Sequence, residues 1–233
     1  MISGETRLVA LLGHPVAKSL SPRMQNAAFA ARGLDWAYVA CDVEPGRLAD
    51  AIEGLVTLGF AGANVTVPYK QEAASIADES EGDAVNTLVF ERGRVLGFNT
   101  DKEILAGVIG ERAAVIGSGG AARALLPALG EDVRVFSRRG EWPPVTDECD
   151  VVVHATPVVD ELLFEPRAEQ TVVDLAYRGN GEATAIVAAA REAGAVVVDG
   201  LEALVRQGAA SFERWTSVPA PVDVMRAALG LTV

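Results

Sequence analysis

The sequence has few residues of the kinds that build metal centres or disulfide frameworks. Its 233 residues include only two cysteines, Cys41 and Cys149, and two histidines, His14 and His154. Neither cysteine has metal-ligand spacing, so we interpret both as buried, reduced thiols rather than as a disulfide or a metal site. The two histidines lie too far apart in the sequence to indicate zinc. We therefore predict no bound metal.

Long apolar runs are also missing. No run approaches the ~20 residues that a membrane-spanning helix needs. The early apolar run from Leu8 to Leu12 is too short for the core of a signal peptide, and no cleavage site follows it. We therefore expect a cytoplasmic protein with no membrane partner.

Basic residues are outnumbered by acidic ones. The chain has 20 Lys and Arg against 32 Asp and Glu, which gives a net charge of −12. This acidity argues against a nucleic-acid partner, since nucleic acids bind basic surfaces. Hydrophobic residues make up 50% of the chain, a globular composition. We expect a small-molecule substrate; a homodimer is compatible with the sequence, which does not specify an oligomeric state.

What the sequence does contain is a regular alternation of apolar strands and helices. Val- and Ala-rich strands that alternate with helices predict a parallel sheet covered on both faces, in an α/β fold of two domains. Ser21 is a good N-cap residue and Pro22 favours the first helical position, so we predict a helix from there to about Arg32. Further predicted elements are helices over residues 102–109 and 121–129 and hairpin strands over residues 85–90 and 94–98.

Two charged residues follow predicted strand ends. The strand Phe60–Val67 runs into Pro68, which cannot continue a hydrogen-bond ladder, and Lys70 then falls at the opening of a predicted helix over residues 69–77. Asp101 follows the second hairpin strand. The pair is a candidate for an amine and its acidic partner. The simpler alternatives are an exposed lysine at a helix start and an aspartate that caps the next helix.

A glycine-rich turn predicts a dinucleotide site. Gly117-Ser118-Gly119-Gly120-Ala121 follows a strand and opens a helix, and the pattern G-x-G-x-x-A is completed by Ala122. The next strand ends in Ser137-Arg138-Arg139, and a guanidinium matches the geometry of a 2′-phosphate. We therefore predict NADP rather than NAD. The alternatives are a glycine turn that only packs a helix on the sheet, and two solvated arginines.

Taken together, these motifs resemble the shikimate dehydrogenase family over nearly the whole chain. The matching segments, in the family's order, are Ser19-Leu20-Ser21-Pro22, Asn64 to Lys70, Ala84-Val85-Asn86-Thr87, Asn99-Thr100-Asp101, Gly117 to Ala121, Ala155-Thr156-Pro157, Asp174-Leu175-Ala176-Tyr177, and Gly200 with Gln207. The resemblance implies a reversible, NADP-dependent reduction of 3-dehydroshikimate to shikimate in aromatic amino-acid biosynthesis. Quinate or an analogue as the substrate, and a non-catalytic nucleotide-binding regulator on the same fold, are the alternatives.

The resemblance also implies roles for individual residues. Lys70 and Asp101 would be the catalytic pair. A substrate-binding domain would comprise residues 1–101 with 200–233, and a Rossmann-type NADP-binding domain residues 102–199. The implied substrate-binding residues are Ser19, Ser21, Thr66, Asn86, Tyr177 and Gln207. The implied cofactor-binding residues are Gly117, Ser118, Gly119, Gly120, Ala121, Ser137, Arg138, Arg139, Leu175 and Gly200.

The chain departs from the family's usual pattern at several positions. Ser137-Arg138-Arg139 replaces the usual Asn-Arg-Thr, and His154 stands where Asn usually precedes Ala-Thr-Pro. Gln25 occupies a position where His is common. The segment of residues 138–150 is expected to have lost a helix.

Overall fold

The computed structural model of the protein describes residues 2–231. Its strands are β1 (Arg7–Gly13), β2 (Trp36–Asp42), β3 (Gly62–Val65), β4 (Glu79–Ser80), β5 (Thr87–Glu91), β6 (Arg94–Phe98), β7 (Ala113–Ile116), β8 (Val133–Phe136), β9 (Val151–His154), β10 (Thr171–Asp174) and β11 (Val196–Val198). Its α-helices are α1 (Ser21–Ala31), α2 (Leu48–Thr57), α3 (Lys70–Ile76), α4 (Gly120–Leu125), α5 (Ala185–Ala193), α6 (Gly200–Thr216) and α7 (Val222–Ala228). Two 3-10 helices span Asp101–Leu105 and Leu126–Ala128.

The chain divides into two compact units. The first comprises Met1–Asp101 and Val205–Val233, and the second comprises Lys102–Leu204. Helix α6 therefore contributes residues to both units. Among residues 2–231, no helix combines the length and the apolar character that a membrane crossing requires.

The first unit is built on a six-stranded mixed sheet in the order β2-β1-β3-β5-β6-β4. Strands β1, β2 and β3 are parallel, whereas β5 is antiparallel to β3 and to β6. Helices α2 and α3 cover one face of this sheet with an apolar cluster that includes Leu12, Ile52, Tyr69 and Leu88. The C-terminal helices join this unit, and Phe212 of α6 stacks on Phe29 of α1 with ring centroids 5.3 Å apart.

The second unit is built on a five-stranded sheet in the order β11-β10-β9-β7-β8, with every pair parallel. Successive residues of its strands alternate between two buried clusters. Val115 and Val153 belong to one cluster, and Ile116 and Val152 belong to the other. A strand buried on both faces explains the continuous apolar runs in the sequence. The predicted α/β fold, with a Rossmann-like second unit and C-terminal helices that return to the first, is confirmed.

Several local predictions are wrong. Ser21 is the first residue of α1 and not its N-cap, because Leu20 takes that place without a side-chain hydrogen bond. The helix predicted over residues 102–109 is a short 3-10 helix instead, and the chain turns away at Gly107, which has a φ of +76°. The helix predicted over residues 121–129 ends early, since Pro127 has no N–H to continue it.

The predicted position of the hairpin turn is correct. Arg92 and Gly93 both have positive φ angles, 52° and 78°, as a two-residue hairpin loop requires. The strands differ slightly from their predicted bounds, and the two-residue edge strand β4 was not predicted. No helix lies between β8 and β9 in the described chain, as expected for residues 138–150.

Candidate active site

The turn between β3 and α3 fixes the position of Lys70. The carbonyl of Thr66 accepts a hydrogen bond from the backbone N–H of Tyr69 at 2.9 Å. The Tyr69 ring is buried, and its hydroxyl donates to the carbonyl of Val43 at 2.6 Å. Burial, followed by the nearby carboxylates of Glu72, Glu44 and Asp42, raises the pKa of Tyr69, so the phenol stays protonated as a donor. Lys70 is thereby held as the first residue of α3.

Lys70 is buried, not solvated. Only 9% of the residue is exposed, and its Nζ donates a hydrogen bond to Oδ2 of Asp101, which is 5% exposed. Lys70 and Asp101 are therefore in direct contact, and Lys70 is not an exposed lysine at a helix start. Asp101 opens a 3-10 helix, and its carboxylate accepts the hydrogen bond from Lys70.

Asn86 and Gln207 extend this pair into a network. The Asn86 side-chain amide donates to Oδ1 of Asp101 at 2.7 Å and to Oε1 of Gln207 at 3.3 Å. Both Asp101 oxygens therefore accept a hydrogen bond, one from an amine and one from an amide. Four of the predicted site residues thus lie in one connected cluster within the first unit.

A second layer of polar side chains holds Asn86, and the sequence analysis did not identify it. Oδ1 of Asn86 accepts from both the backbone N–H and the hydroxyl of Thr100, at 2.9 and 3.0 Å. The hydroxyls of Thr87 and Thr100 also contact Ser211 of α6, at 2.8 and 3.1 Å. The signal that the sequence offered was polar residues next to apolar strand segments, Thr87 at the start of β5 and Thr100 just after β6. This layer fixes Asn86, and through it the Asp101 carboxylate.

The arrangement suits transfer of a proton to oxygen. A lysine ammonium carries three donors, and the hydrogen bond to Asp101 occupies one of them. A nearby carboxylate favours the charged form of an amine and orients it. Such an amine can stabilise negative charge that develops on a carbonyl oxygen and can deliver a proton to it.

The remaining predicted substrate residues of the first unit make other contacts. Ser21 is buried in the first turn of α1, and its backbone N–H donates to the Ser19 hydroxyl at 3.3 Å. The methyl group of Thr66 packs on Gly13 so closely that a Cβ there would meet it at 2.3 Å. Within residues 2–231, no direct hydrogen bond joins Ser19, Ser21 or Thr66 to the pair of Lys70 and Asp101.

The glycine turn of the second unit fits a dinucleotide. Gly117 has a φ of +127°, and a Cβ there would lie 2.7 Å from the carbonyl oxygen of Ala155. A Cβ at Gly119, by contrast, would meet nothing within 4 Å, which leaves open space beside the start of α4. Ser118 and Gly119 are exposed, and Gly120 and Ala121 begin the helix. A tight turn with a bare backbone face at a helix start is what a pyrophosphate requires.

The predicted 2′-phosphate residues lie on a compact turn after β8. The backbone N–H of Gly140 donates to the carbonyl of Ser137 at 2.9 Å. Arg138 and Arg139 are exposed. Arg138 pairs loosely with Glu161 at 3.5 Å, and its guanidinium carbon lies 5.8 Å from the centre of the Trp142 ring. The two guanidinium groups are therefore accessible to a ligand.

Tyr177 and Gly200 lie close together in the second unit, and Leu175 packs against one of its apolar clusters. A Cβ at Gly200 would lie 2.2 Å from the carbonyl oxygen of Ala176 and 3.0 Å from Cβ of Tyr177. Only glycine permits this approach of α6 to the segment after β10. A small pocket next to this contact is lined by Tyr177, Gly200 and residues of α5.

Comparisons with known proteins point to one family. The family profile described as the shikimate dehydrogenase substrate binding domain matches residues 11–88, and that of the shikimate 5′-dehydrogenase C-terminal domain matches residues 200–229. The shikimate dehydrogenase (NADP(+)) of Anaeromyxobacter dehalogenans is 42% identical over 97% of this chain and 97% of its own. That of Methanopyrus kandleri is 37% identical over 98% of this chain and 96% of its own.

A solved structure shares the fold of both units. The shikimate 5-dehydrogenase of Thermus thermophilus, in complex with NADP(H) and shikimate, superimposes with a TM-score of 0.85 at 33% identity, covering 97% of this chain and 99% of that one. The alignment to the Methanopyrus enzyme runs over 281 positions, more than the 233 residues here. The relatives therefore carry residues without a counterpart in this chain. The chain belongs to the shikimate dehydrogenase family.

Proposed function

We propose that this chain catalyses the reversible, NADP-dependent reduction of 3-dehydroshikimate to shikimate, in the pathway to the aromatic amino acids. The observation that supports this most strongly is the buried pair of Lys70 and Asp101, held by Asn86 beside Gln207. A lysine that was merely exposed to solvent at a helix start would not be nine-tenths buried and in contact with a carboxylate.

In this proposal Lys70 is the residue that handles the proton. When it is bound, NADPH supplies the hydride. The Lys70 ammonium donates to the ketone oxygen, stabilises the charge that develops there and delivers the proton. Asp101 accepts a hydrogen bond from Lys70 Nζ and so orients the amine and favours its charged form. In the reverse direction, the neutral amine takes the proton from the shikimate hydroxyl.

The remaining residues bind and orient the two ligands. Amide and hydroxyl groups suit a polyol carboxylate, because each missing partner leaves a buried polar group unpaired and so sharpens discrimination. Asn86 and Gln207 contribute such groups, as do Ser19, Ser21, Thr66 and Tyr177. The cofactor residues are the glycine turn for the pyrophosphate, Ser137 to Arg139 for the 2′-phosphate, and Leu175 and Gly200.

An absorbance assay at the nicotinamide band tests the function. Shikimate and quinate are each combined with NADP and NAD, and turnover is measured for every pair. We expect the highest kcat/KM for shikimate with NADP. Preference for quinate would change the substrate but keep the chemistry. Absence of turnover with every pair, in protein shown to be folded, would favour a non-catalytic nucleotide binder.

A further inference from the structure

Three neighbouring strands of the second unit end in register around a buried histidine. His154, the last residue of β9, is paired with Ile116 of β7 and with Asp174 of β10. His154 and Asp174 both have no exposed surface. The proposed function assigns no role to His154, which replaces the asparagine usual at this position. A fully buried ionisable pair at strand ends calls for an explanation, because burying such groups costs free energy unless each of them is hydrogen-bonded.

The imidazole contacts a polar partner at each ring nitrogen. Nδ1 of His154 lies 2.8 Å from Oδ1 of Asp174, and Nε2 lies 2.5 Å from the hydroxyl of Thr156. The backbone N–H of Val158 donates to the same Thr156 hydroxyl at 3.3 Å. The backbone N–H of Ala176 donates to Oδ1 of Asp174 at 2.9 Å.

Thr184 completes the network at its other end. Its hydroxyl donates to Oδ2 of Asp174 at 2.5 Å and accepts from the backbone N–H of Val187 at 3.2 Å, as the N-cap of α5. The Asp174 carboxylate therefore accepts three hydrogen bonds. A carboxylate has no donor of its own, so Nδ1 of His154 is the donor in the contact between the two side chains.

In the tautomer that carries its hydrogen on Nδ1, His154 determines the role of Thr156. With Nδ1–H donated to Asp174, the neutral ring has a bare Nε2 that accepts the hydroxyl hydrogen of Thr156. The Thr156 oxygen then has no hydrogen left to donate. One of its lone pairs accepts the backbone N–H of Val158, and the other is available to a further N–H donor. Thr156 is partly exposed.

The network also links the segments that follow β9 and β10. The carbonyl of Ala155 packs on Gly117, and the carbonyl of Ala176 packs on Gly200. Ligands of parallel α/β sheets bind beyond the carboxyl ends of the strands. Strand β9 lies on one side of β7, and β8 with Arg138 lies on the other. Thr156 is therefore on the side of the glycine turn opposite to the residues proposed for the 2′-phosphate.

We propose that His154 is a positioning residue that presents the Thr156 hydroxyl as a hydrogen-bond acceptor for the carboxamide N–H of the nicotinamide ring. The inference rests on the proposed function, since it presumes that NADPH is the ligand. It adds that the buried pair of His154 and Asp174 makes the Thr156 hydroxyl accept, rather than donate, this hydrogen bond. A hydroxyl free to rotate would offer its hydrogen as readily as its lone pair.

The first test compares two ligands by calorimetry. NADPH carries the carboxamide, and 2′,5′-ADP carries only the adenine side. We expect Thr156→Val to weaken NADPH binding by about threefold to tenfold, the worth of about one hydrogen bond, and to leave 2′,5′-ADP binding unchanged. Thr184→Val is the matched control, because it removes one hydroxyl from the same network without touching Thr156. It should lower the thermal midpoint and leave the ratio of the two affinities unchanged.

The second test asks whether His154 acts through Thr156. His154→Phe should reduce NADPH affinity as Thr156→Val does, and the double variant should be no worse than either single one, because coupled residues are not additive. Nitrogen NMR of the histidine side chains gives an independent readout. With only two histidines in the chain, a His14→Gln sample assigns the signals. We expect His154 to be neutral and protonated at Nδ1.

Several results would overturn the inference. These are an Nε2-protonated His154, additive effects in the double variant, equal weakening of both ligands by Thr156→Val, or the same NADPH-specific loss in Thr184→Val. If His154→Phe does not fold, the NMR spectrum and the two threonine variants still decide. Wild-type protein that binds neither NADPH nor 2′,5′-ADP would reject the proposed function itself, and the inference with it. If Thr156→Val still turns over and the ratio of its NADPH and 2′,5′-ADP affinities equals that of the wild type, the inference is rejected but the proposed function is not.

Discussion

Lys70 and Asp101 lie 31 residues apart in the sequence, and the hydrogen bond between their side chains is buried in the first unit. Each is the first residue of a helical segment that follows a strand of the same sheet. The fold therefore places an ammonium donor beside its counter-charge. Removing one member of a buried pair leaves the other uncompensated, so the two residues have to be tested separately and with folding controls.

Asp101→Asn keeps the size of the side chain and removes its charge. We expect kcat to fall by about tenfold or more, because the Lys70 amine loses the group that favours its charged form and orients it. Asp83→Asn is the control, since Asp83 is exposed and has no hydrogen bond within the described residues. Steady-state kinetics on both variants measure the effect. Equal kcat values for the two would contradict a role for Asp101.

Arg138→Ala tests the 2′-phosphate assignment. Loss of a charge-assisted hydrogen bond is worth about 1.5–3 kcal/mol, so we expect KM for NADPH to rise by about tenfold or more. KM for 3-dehydroshikimate should change little. Arg47→Ala removes the same charge from an exposed arginine of the first unit and should leave both constants near their original values. A similar increase in both KM values for Arg138→Ala would reject the assignment.

Gly62→Ala tests the packing beneath the active site. A Cβ at Gly62 would lie 2.2 Å from the carbonyl oxygen of Leu88 and 2.6 Å from Nε1 of Trp215. It would break the hydrogen bond that Trp215 donates to Leu88 at 3.0 Å. We expect a loss of stability of about 1–3 kcal/mol from overpacking, measured by urea unfolding.

Gly54→Ala provides the opposite control for that measurement. Gly54 lies inside α2, and a Cβ there would meet no atom within 4 Å. Alanine should therefore stabilise the protein by about 0.5–1 kcal/mol, since glycine is unfavourable in a helix interior. If Gly54→Ala also lowered the free energy of unfolding, the loss of stability in Gly62→Ala could not be assigned to the packing around Gly62.

The hydrogen bonds that Asp150 accepts lead us to expect a specific dependence of stability on pH. The backbone N–H groups of Arg112 and Glu111 donate to its carboxylate at 3.0 and 3.1 Å and lower its pKa from the ordinary value of 3.8. A carboxylate with a depressed pKa stabilises the fold above its unfolded pKa, and this contribution is lost as the pH falls through the folded value.

Thermal unfolding of Asp150→Asn should show this directly. Its melting temperature should lie below that of the wild type by a constant amount between about pH 5 and 8, and the difference should narrow below about pH 4. Glu169→Gln, at an exposed position, should show no such trend. A difference that persists unchanged at low pH would mean that the Asp150 charge does not stabilise the fold.

The sequence was most informative where chemistry and local structure coincide. Lys70 could be placed at a helix start because Pro68 ends the strand before it, and the parallel sheet could be predicted from doubly buried strands. The glycine turn was recognisable because Gly117 needs a positive φ and a close backbone approach. These are constraints that act over a few residues, and a sequence displays them directly.

The parts that the sequence did not reveal depend on contacts between distant segments. Thr87 at the start of β5 and Thr100 after β6 look like ordinary polar residues in the sequence, and their shared contact with Ser211 of α6 exists only in the folded chain. His154 was noticed only as a departure, and its network needs Asp174 and Thr184 from later in the chain. The short 3-10 helix that begins at Asp101 was missed because residues 102–109 have helical composition, whereas Gly107 redirects the chain.

The most direct test of the proposed mechanism is the turnover of Lys70→Ala, with Lys70→Met as a second variant that retains the apolar stem. Shikimate binding is measured by calorimetry on the same samples, and exposed Lys18→Ala controls for loss of charge. We predict that kcat falls by about 10²–10⁴-fold, the usual worth of a general acid, while shikimate still binds and the fold is retained. Near-normal kcat in a folded Lys70 variant would contradict the proposed mechanism.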